Sequence, residues 1–71
     1  MRQALITALE KQFEAEISAA DASIKLLLEN PVAVSEHLNH QKELDCLLHK
    51  IATAEEKLEE LESFNIPRAE L

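Results

Sequence analysis

Several residue types that help small proteins to fold are scarce or missing in this chain of 71 residues. It has no glycine, tryptophan or tyrosine, two prolines, and a single cysteine, Cys46. One cysteine excludes an internal disulfide, and without glycine the tight turns between β-strands are disfavoured. The only aromatic residues are Phe13 and Phe64. Because strands favour aromatic and β-branched side chains, the composition disfavours a β-sheet fold.

Basic residues are also scarce: 7 Lys and Arg stand against 14 Asp and Glu, giving a formal net charge of −7. Such a charge repels nucleic-acid phosphates and anionic membranes. A nucleic-acid-binding hairpin dimer is kept as an alternative because a local basic stripe can outweigh the net charge. The basic residues are, however, scattered along the chain. No apolar run approaches the length of a membrane span. One unpaired cysteine and no recognisable export signal predict a cytoplasmic protein with no membrane partner.

The residues that are abundant, Ala, Leu and Glu, are strong helix formers, and so is Lys. Pro31 interrupts them, because proline lacks a backbone N–H and excludes the preceding residue, Asn30, from the α region. We therefore predict an all-α antiparallel hairpin, with helices over about 2–29 and about 35–65 and a connector over 30–34. The second helix starts either at Pro31 or, as we prefer, at Ser35 as N-cap.

A single domain is expected, since a chain of this length has room for one small core. We assign the hairpin to residues 1–66. Residues 67–71 follow Pro67, which cannot continue a helix, and are too few to fold alone. They are predicted to be a mobile C-terminal tail.

Apolar residues recur along each predicted helix at helical spacing, which indicates an amphipathic stripe on both. In the first helix, Ile6, Ile17 and Leu28 are 11 apart, an interval that keeps a stripe parallel to a straight helix axis. The second helix has the heptad spacing of a coiled coil. The predicted seam consists of Ile6, Leu9, Phe13, Ile17, Ala20, Ile24, Leu28, Leu44, Leu47, Ile51, Leu58 and Leu61.

Small residues line the opposite face of the first helix. This second stripe consists of Ala4, Ala8, Ala15, Ala19, Ala22 and Leu26. Alanine is common on exposed helix surfaces because it is a good helix former. The alternative is a second packing face, where small side chains let another helix approach closely, and Leu26 favours that interpretation.

One hairpin cannot cover both sides of its own stripes. A chain this short usually needs disulfides, a metal or oligomerisation to be stable, and the first is excluded here. Pairing hairpins into a four-helix bundle covers the open sides. We therefore expect a homo-oligomer resembling a four-helix bundle, with a dimer as the commonest species.

Chemistry-bearing residues are few. His37 and His40 lie three apart on one helical face, which suits a transition metal, but two ligands do not complete a site. We expect no cofactor, no bound metal and no enzymatic activity. The densest charge cluster includes Glu55, Glu56, Glu59 and Glu60, near a helix C-terminus where negative charge opposes the helix dipole. Because stability does not explain these glutamates, they are a candidate partner face.

The sequence thus favours a small, non-enzymatic interaction or adaptor protein that self-associates and binds or occludes another protein. A metal-binding module using His37 and His40 is the first alternative, and the nucleic-acid-binding hairpin dimer is the second. A bound-metal assay distinguishes the first from the leading interpretation, and a salt-dependent mobility shift distinguishes the second.

Overall fold

The computed structural model describes residues 1–30 and 37–65, and within these ranges it is built from two helices packed against each other. Helix α1 spans Arg2–Glu29 and helix α2 spans His37–Glu62. The prediction of an all-helical chain with two packed helices is confirmed. The connector after Asn30, both predicted starts of the second helix and the tail over 67–71 lie outside the described residues.

The two helices run antiparallel, as three contacts along their length show. The Arg2 guanidinium donates a hydrogen bond to the Phe64 carbonyl oxygen at the open end of the hairpin. Further along, the Lys57 ammonium lies 5.4 Å from the centroid of the Phe13 ring, within cation–π range. Ser23 and Leu47 then line the same cleft. Residues further along α1 therefore lie beside residues nearer the start of α2.

Helix α1 ends where the sequence predicts. Asn30, its C-cap, has φ −85° and ψ 126°, in the extended region, and its N–H bonds to the carbonyl oxygen of Leu26. This conformation is the one imposed on a residue that precedes proline, so the predicted effect of Pro31 on Asn30 is confirmed.

Helix α2 ends at Glu62, three residues before the predicted end near residue 65. The N–H groups of Ser63, Phe64 and Asn65 each bond to the carbonyl three residues back, which is the tighter 3₁₀ pattern. The Ser63 hydroxyl also donates to the Glu60 carbonyl oxygen at 2.7 Å. Such local bonding competes with the α-helical ladder, and the helix ends before Pro67 would force it to.

The interior of the hairpin is thin. Among the described residues, four apolar side chains are buried: Ile6, Phe13, Ala20 and Ala54. The three in α1 are seven residues apart, and half-buried Leu27 continues the series. Ala54 is 1% exposed and lies one helical turn from Lys57, at the level of Phe13. At this level of the hairpin, α1 therefore buries a large side chain and α2 a small one, a combination by which two helices can fill the space between them.

The side chains of α1 that face α2 do not follow the predicted 11-residue interval. Leu28 is 68% exposed, whereas its neighbour Leu27 is half-buried. Leu9 is also exposed, and Glu10 is half-buried beside it. Two helices that wrap around each other keep contact through a seven-residue repeat, so the heptad, not the 11-residue interval, is the observed period.

Candidate functional site

The hairpin has two open sides, one on each side of the plane that contains the helix axes. Three clefts on one side are lined by α1 residues including Glu16 and Ser23 and by α2 residues including Lys50 and Lys57. Arg2 precedes Glu16 by two heptads and Glu43 precedes Lys50 by one, so both lie on this same side. We call it the lysine side.

The residues on the opposite side of the hairpin are assigned from the same heptad register. We call this side the acid side and define it by the carboxylates of Glu10, Glu14, Asp21, Glu55 and Glu62. Within the two helices, no Lys or Arg occupies an acid-side position, whereas the lysine side has three cations, Arg2, Lys50 and Lys57. The charge of the chain is therefore distributed unevenly between the two sides.

The acid side also has an apolar floor, which runs along the groove between the helices. Ile17, Ile24, Leu44, Ile51 and Leu58 are half-buried there. Beside them, Leu28 and Leu48 are exposed, the latter at 57%. The acid side is thus an apolar groove with an acidic rim.

Two of the acid-side carboxylates are paired by lysines of their own helix. Lys11 Nζ lies 3.6 Å from Glu14 Oε1, and Lys25 Nζ lies 2.8 Å from Asp21 Oδ2. The hydrogen bond to Asp21 and its negative charge raise the pKa of Lys25 above the ordinary 10.5, against a small opposing effect of desolvation. Because the pKa of Lys25 is raised in the folded chain, its charged form stabilises the fold below pH 10.5, and this stabilisation is lost as the pH rises through the raised pKa. Lys25 and Asp21 are therefore paired at neutral pH.

The outer face of α1 carries a second stripe of heptad spacing. It consists of Leu5, Ala8, Gln12, Ala15, Ala19, Ala22 and Leu26, and all seven side chains are exposed in the single chain. Leu26 is 62% exposed. This outer stripe includes five of the six residues of the predicted second packing face, and Ala4, the sixth, is exposed beside it. The stripe holds no charged residue. Its burial in an assembly stays a prediction.

The glutamates of the predicted partner face do not share one side. Glu55 lies on the acid side, whereas Glu56, Glu59 and Glu60 point outward from α2, and all four are exposed. Glu10 and Glu14 of α1 were not identified from the sequence as members of the same surface as Glu55 and Glu62. Their common surface could have been found by aligning the heptads of the two helices, because the same heptad position on antiparallel neighbours lies on the same side.

The histidines lie at the connector end of α2. His37 is exposed and His40 is half-buried, and both line one cleft together with Leu44 and Leu48. Cys46 and His49 are exposed elsewhere on α2. Nowhere in residues 1–30 and 37–65 do three or more His, Cys, Asp or Glu side chains come together as a metal site requires. The structure thus brings the His37–His40 pair into one cleft without adding a third ligand from those residues.

Neither helix, in the part of the chain that the structure describes, is long and apolar enough to cross a membrane. Comparison with models of protein families, with curated proteins and with solved structures finds no match to this chain. The chemistry of its surfaces therefore carries the functional argument.

Proposed function

We propose that this chain is a non-enzymatic interaction protein: a helical hairpin that self-associates, as a homodimer resembling a four-helix bundle, and binds or occludes another protein. The observation that carries the proposal is the amount of surface left open. The chain exposes 5764 Å². A compact monomer of 8.0 kDa is expected to expose about 4,450 Å², so about 1,300 Å² is in excess.

That excess matches the needs of a dimer. Stable interfaces bury about 800 Å² per partner, and obligate homodimers bury more. The chain is also elongated, with a radius of gyration of 16.9 Å against about 11 Å for a compact chain of this length. A second hairpin packed lengthwise would cover the excess area.

The outer stripe of α1 is the face that suits a second copy best. It is uncharged along its length, so two copies can meet there without bringing their net charges of −7 into direct contact. Its alanines allow helix axes to approach near the short end of the 8–10 Å range. Exposed Leu5 and Leu26, near the two ends, supply apolar area. Helix α1 would then be central in the assembly and α2 peripheral.

Sedimentation velocity at micromolar concentration tests the self-association. The unmodified chain is expected at twice 8.0 kDa. Ala15→Glu places a charge in the middle of the outer stripe and is expected to weaken the dimer by about tenfold or more, because a buried unpaired carboxylate is costly. Ala52→Glu is the matched control, since Ala52 is an exposed alanine on the outward face of α2.

A compact monomer near 8.0 kDa that melts cooperatively would contradict the proposal. If Ala52→Glu dissociates the dimer as strongly as Ala15→Glu does, the assignment of the face is wrong. The cytoplasmic location is part of the same proposal and rests on Cys46, which is unpaired and exposed.

A further inference from the structure

The acid side combines apolar area with an excess of negative charge, because its heptad positions hold five carboxylates and no Lys or Arg within the two helices. Its floor is formed by half-buried Ile and Leu side chains from both helices, and its rim holds five carboxylates. Glu14 and Asp21 are paired with lysines of α1. Glu10, Glu55 and Glu62 make no ion pair within the described part of the chain, so their charge is available to a partner.

The geometry of this surface suits a third helix. Two packed helices leave a groove along their length, and a helix seated in it completes a bundle by covering the half-buried apolar residues. Of the exposed leucines of the acid side, Leu28 lies at the connector end of that groove and Leu48 lies near the middle of α2. The unpaired carboxylates of Glu55 and Glu62 stand toward its other end.

A second copy of the chain is a poor occupant for the acid side. Two acid sides face to face would oppose five carboxylates with five more, an unfavourable arrangement that neither parallel nor antiparallel stacking removes. The lysine side of another copy has three cations but also Glu16 and Glu43, so it offers little complementarity. That contact would also be heterologous, so it would build a ring or an open-ended filament rather than a two-fold dimer.

We infer that the acid side docks an amphipathic helix of another protein, one whose apolar stripe is flanked by Lys or Arg. This inference deepens the protein-binding part of the proposed function. The apolar stripe of the partner covers the Ile and Leu floor, and its basic flanks reach Glu10, Glu55 and Glu62. In recognition of this kind, apolar side chains at helical spacing make the central contacts, while the charges select the partner and increase its association rate.

A synthetic peptide provides the probe. We would use a fluorescein-labelled peptide of about 21 residues, about 32 Å long as a helix, with leucine at heptad core positions and lysine elsewhere. Its counterpart carries glutamate in place of lysine. Fluorescence anisotropy on titration with the full chain is expected to show saturable binding of the lysine peptide, weaker at higher salt, and no binding of the glutamate peptide.

Two matched pairs of variants locate the site. Glu55 and Glu56 are adjacent and exposed, but only Glu55 lies on the acid side. Glu55→Gln is expected to weaken binding about two- to fivefold, and Glu56→Gln to leave it unchanged. Leu48 is 57% exposed on the acid side, and Leu9 is 38% exposed at the heptad position that Arg2 and Glu16 occupy on the lysine side. Leu48→Gln is expected to weaken binding about tenfold, and Leu9→Gln, away from the acid side, to have little effect.

Circular dichroism and sedimentation of each variant accompany the titrations, so that a loss of fold or of self-association is recognised separately. Failure of the lysine peptide to bind, while the chain still dimerises, would overturn this inference and leave self-association standing. Equal effects within either pair of variants would overturn it too. Growth of the unmodified chain into open-ended assemblies that Glu55→Gln abolishes would identify a second copy as the occupant instead.

Discussion

Phe13 is the largest side chain buried in the hairpin, and the interior depends on it more than on any other residue. It lies against α2 beside the level of Ala54, and the Lys57 ammonium covers its ring at 5.4 Å. The ring thus contributes both apolar burial and a cation–π contact, which is worth about 0.5–1 kcal/mol at an exposed cation.

Truncation of Phe13 tests its role in the interior. Phe13→Ala is expected to lower the free energy of unfolding by about 3–5 kcal/mol, or to leave the chain unfolded, because a cavity replaces a buried ring. Phe64→Ala is the matched control. The Phe64 side chain is 59% exposed, and its contact with Arg2 is made by the backbone carbonyl. We expect a change within about 0.5 kcal/mol there.

Urea unfolding followed by far-ultraviolet circular dichroism measures both substitutions. If Phe64→Ala destabilises the chain as much as Phe13→Ala, the side chain of Phe64 is buried in the assembly in solution. The interior described for the single hairpin would then be incomplete.

At the scale of the helices, the C-terminus of α2 is unusual. Its last turn contains Glu59, Glu60 and Glu62 and no basic residue. The carbonyl groups at a helix C-terminus carry a partial negative charge, so these carboxylates are destabilising where they stand.

Neutralising one of these carboxylates should stabilise the helix. Glu60→Gln is expected to raise the free energy of unfolding by about 0.3–1 kcal/mol. Glu56→Gln is the control, because the dipole effect is confined to the last turn. Glu56 and Glu60 repel each other, but Glu56 also has Glu59 three residues on, whereas Glu60 has Lys57 three residues back, so side-chain repulsion alone favours Glu56→Gln. Thermal melting at low ionic strength measures the difference, and a larger gain from Glu56→Gln would argue against a dipole effect.

The helices could be predicted from the sequence because their signals are strong and local. Helix-forming composition, Pro31 and apolar periodicity fix α1 to Arg2–Glu29, and the extended Asn30 follows from the proline alone. The end of α2 could not be predicted as well. The helix ends where the Ser63 hydroxyl donates a hydrogen bond to the Glu60 carbonyl oxygen. Residues after Glu62 could equally have continued the helix, so the sequence does not fix its last residue.

The face that α1 turns inward was harder to predict near residue 28. Leu27 and Leu28 are both leucines, so intervals of seven and of eleven residues from Ile6 each end on an apolar side chain. Leu27 rather than Leu28 faces α2 because two helices in contact along their length follow a seven-residue repeat. The acid side was missed for a related reason. Its carboxylates come from two helices, and their common surface appears only after the heptads of both are brought into register.

At the scale of the whole molecule, charge opposes the association that the open surface favours. Each chain carries a net charge of −7, so two copies repel each other even when the contact itself is uncharged. This repulsion acts over the Debye length, which falls from about 30 Å at 0.01 M salt to about 8 Å at 0.15 M.

Added salt is therefore expected to strengthen the dimer. We predict that its dissociation constant falls by a factor of about three to ten between these two salt concentrations, as measured by sedimentation equilibrium. Binding of the basic peptide should move in the opposite direction over the same range. A dimer that weakens with salt would mean that ion pairs, rather than the uncharged outer stripe, hold the copies together.

The place of Cys46 has a practical consequence. Its thiol is exposed and lines a cleft of the lysine side, which Leu26, at one end of the outer stripe of α1, also lines. Because it is the only cysteine of the chain, a maleimide spin label attaches at one known point without a prior substitution. Two labelled copies would then report their separation by pulsed electron paramagnetic resonance, and this distance distinguishes α1-to-α1 packing from packing through the lysine sides.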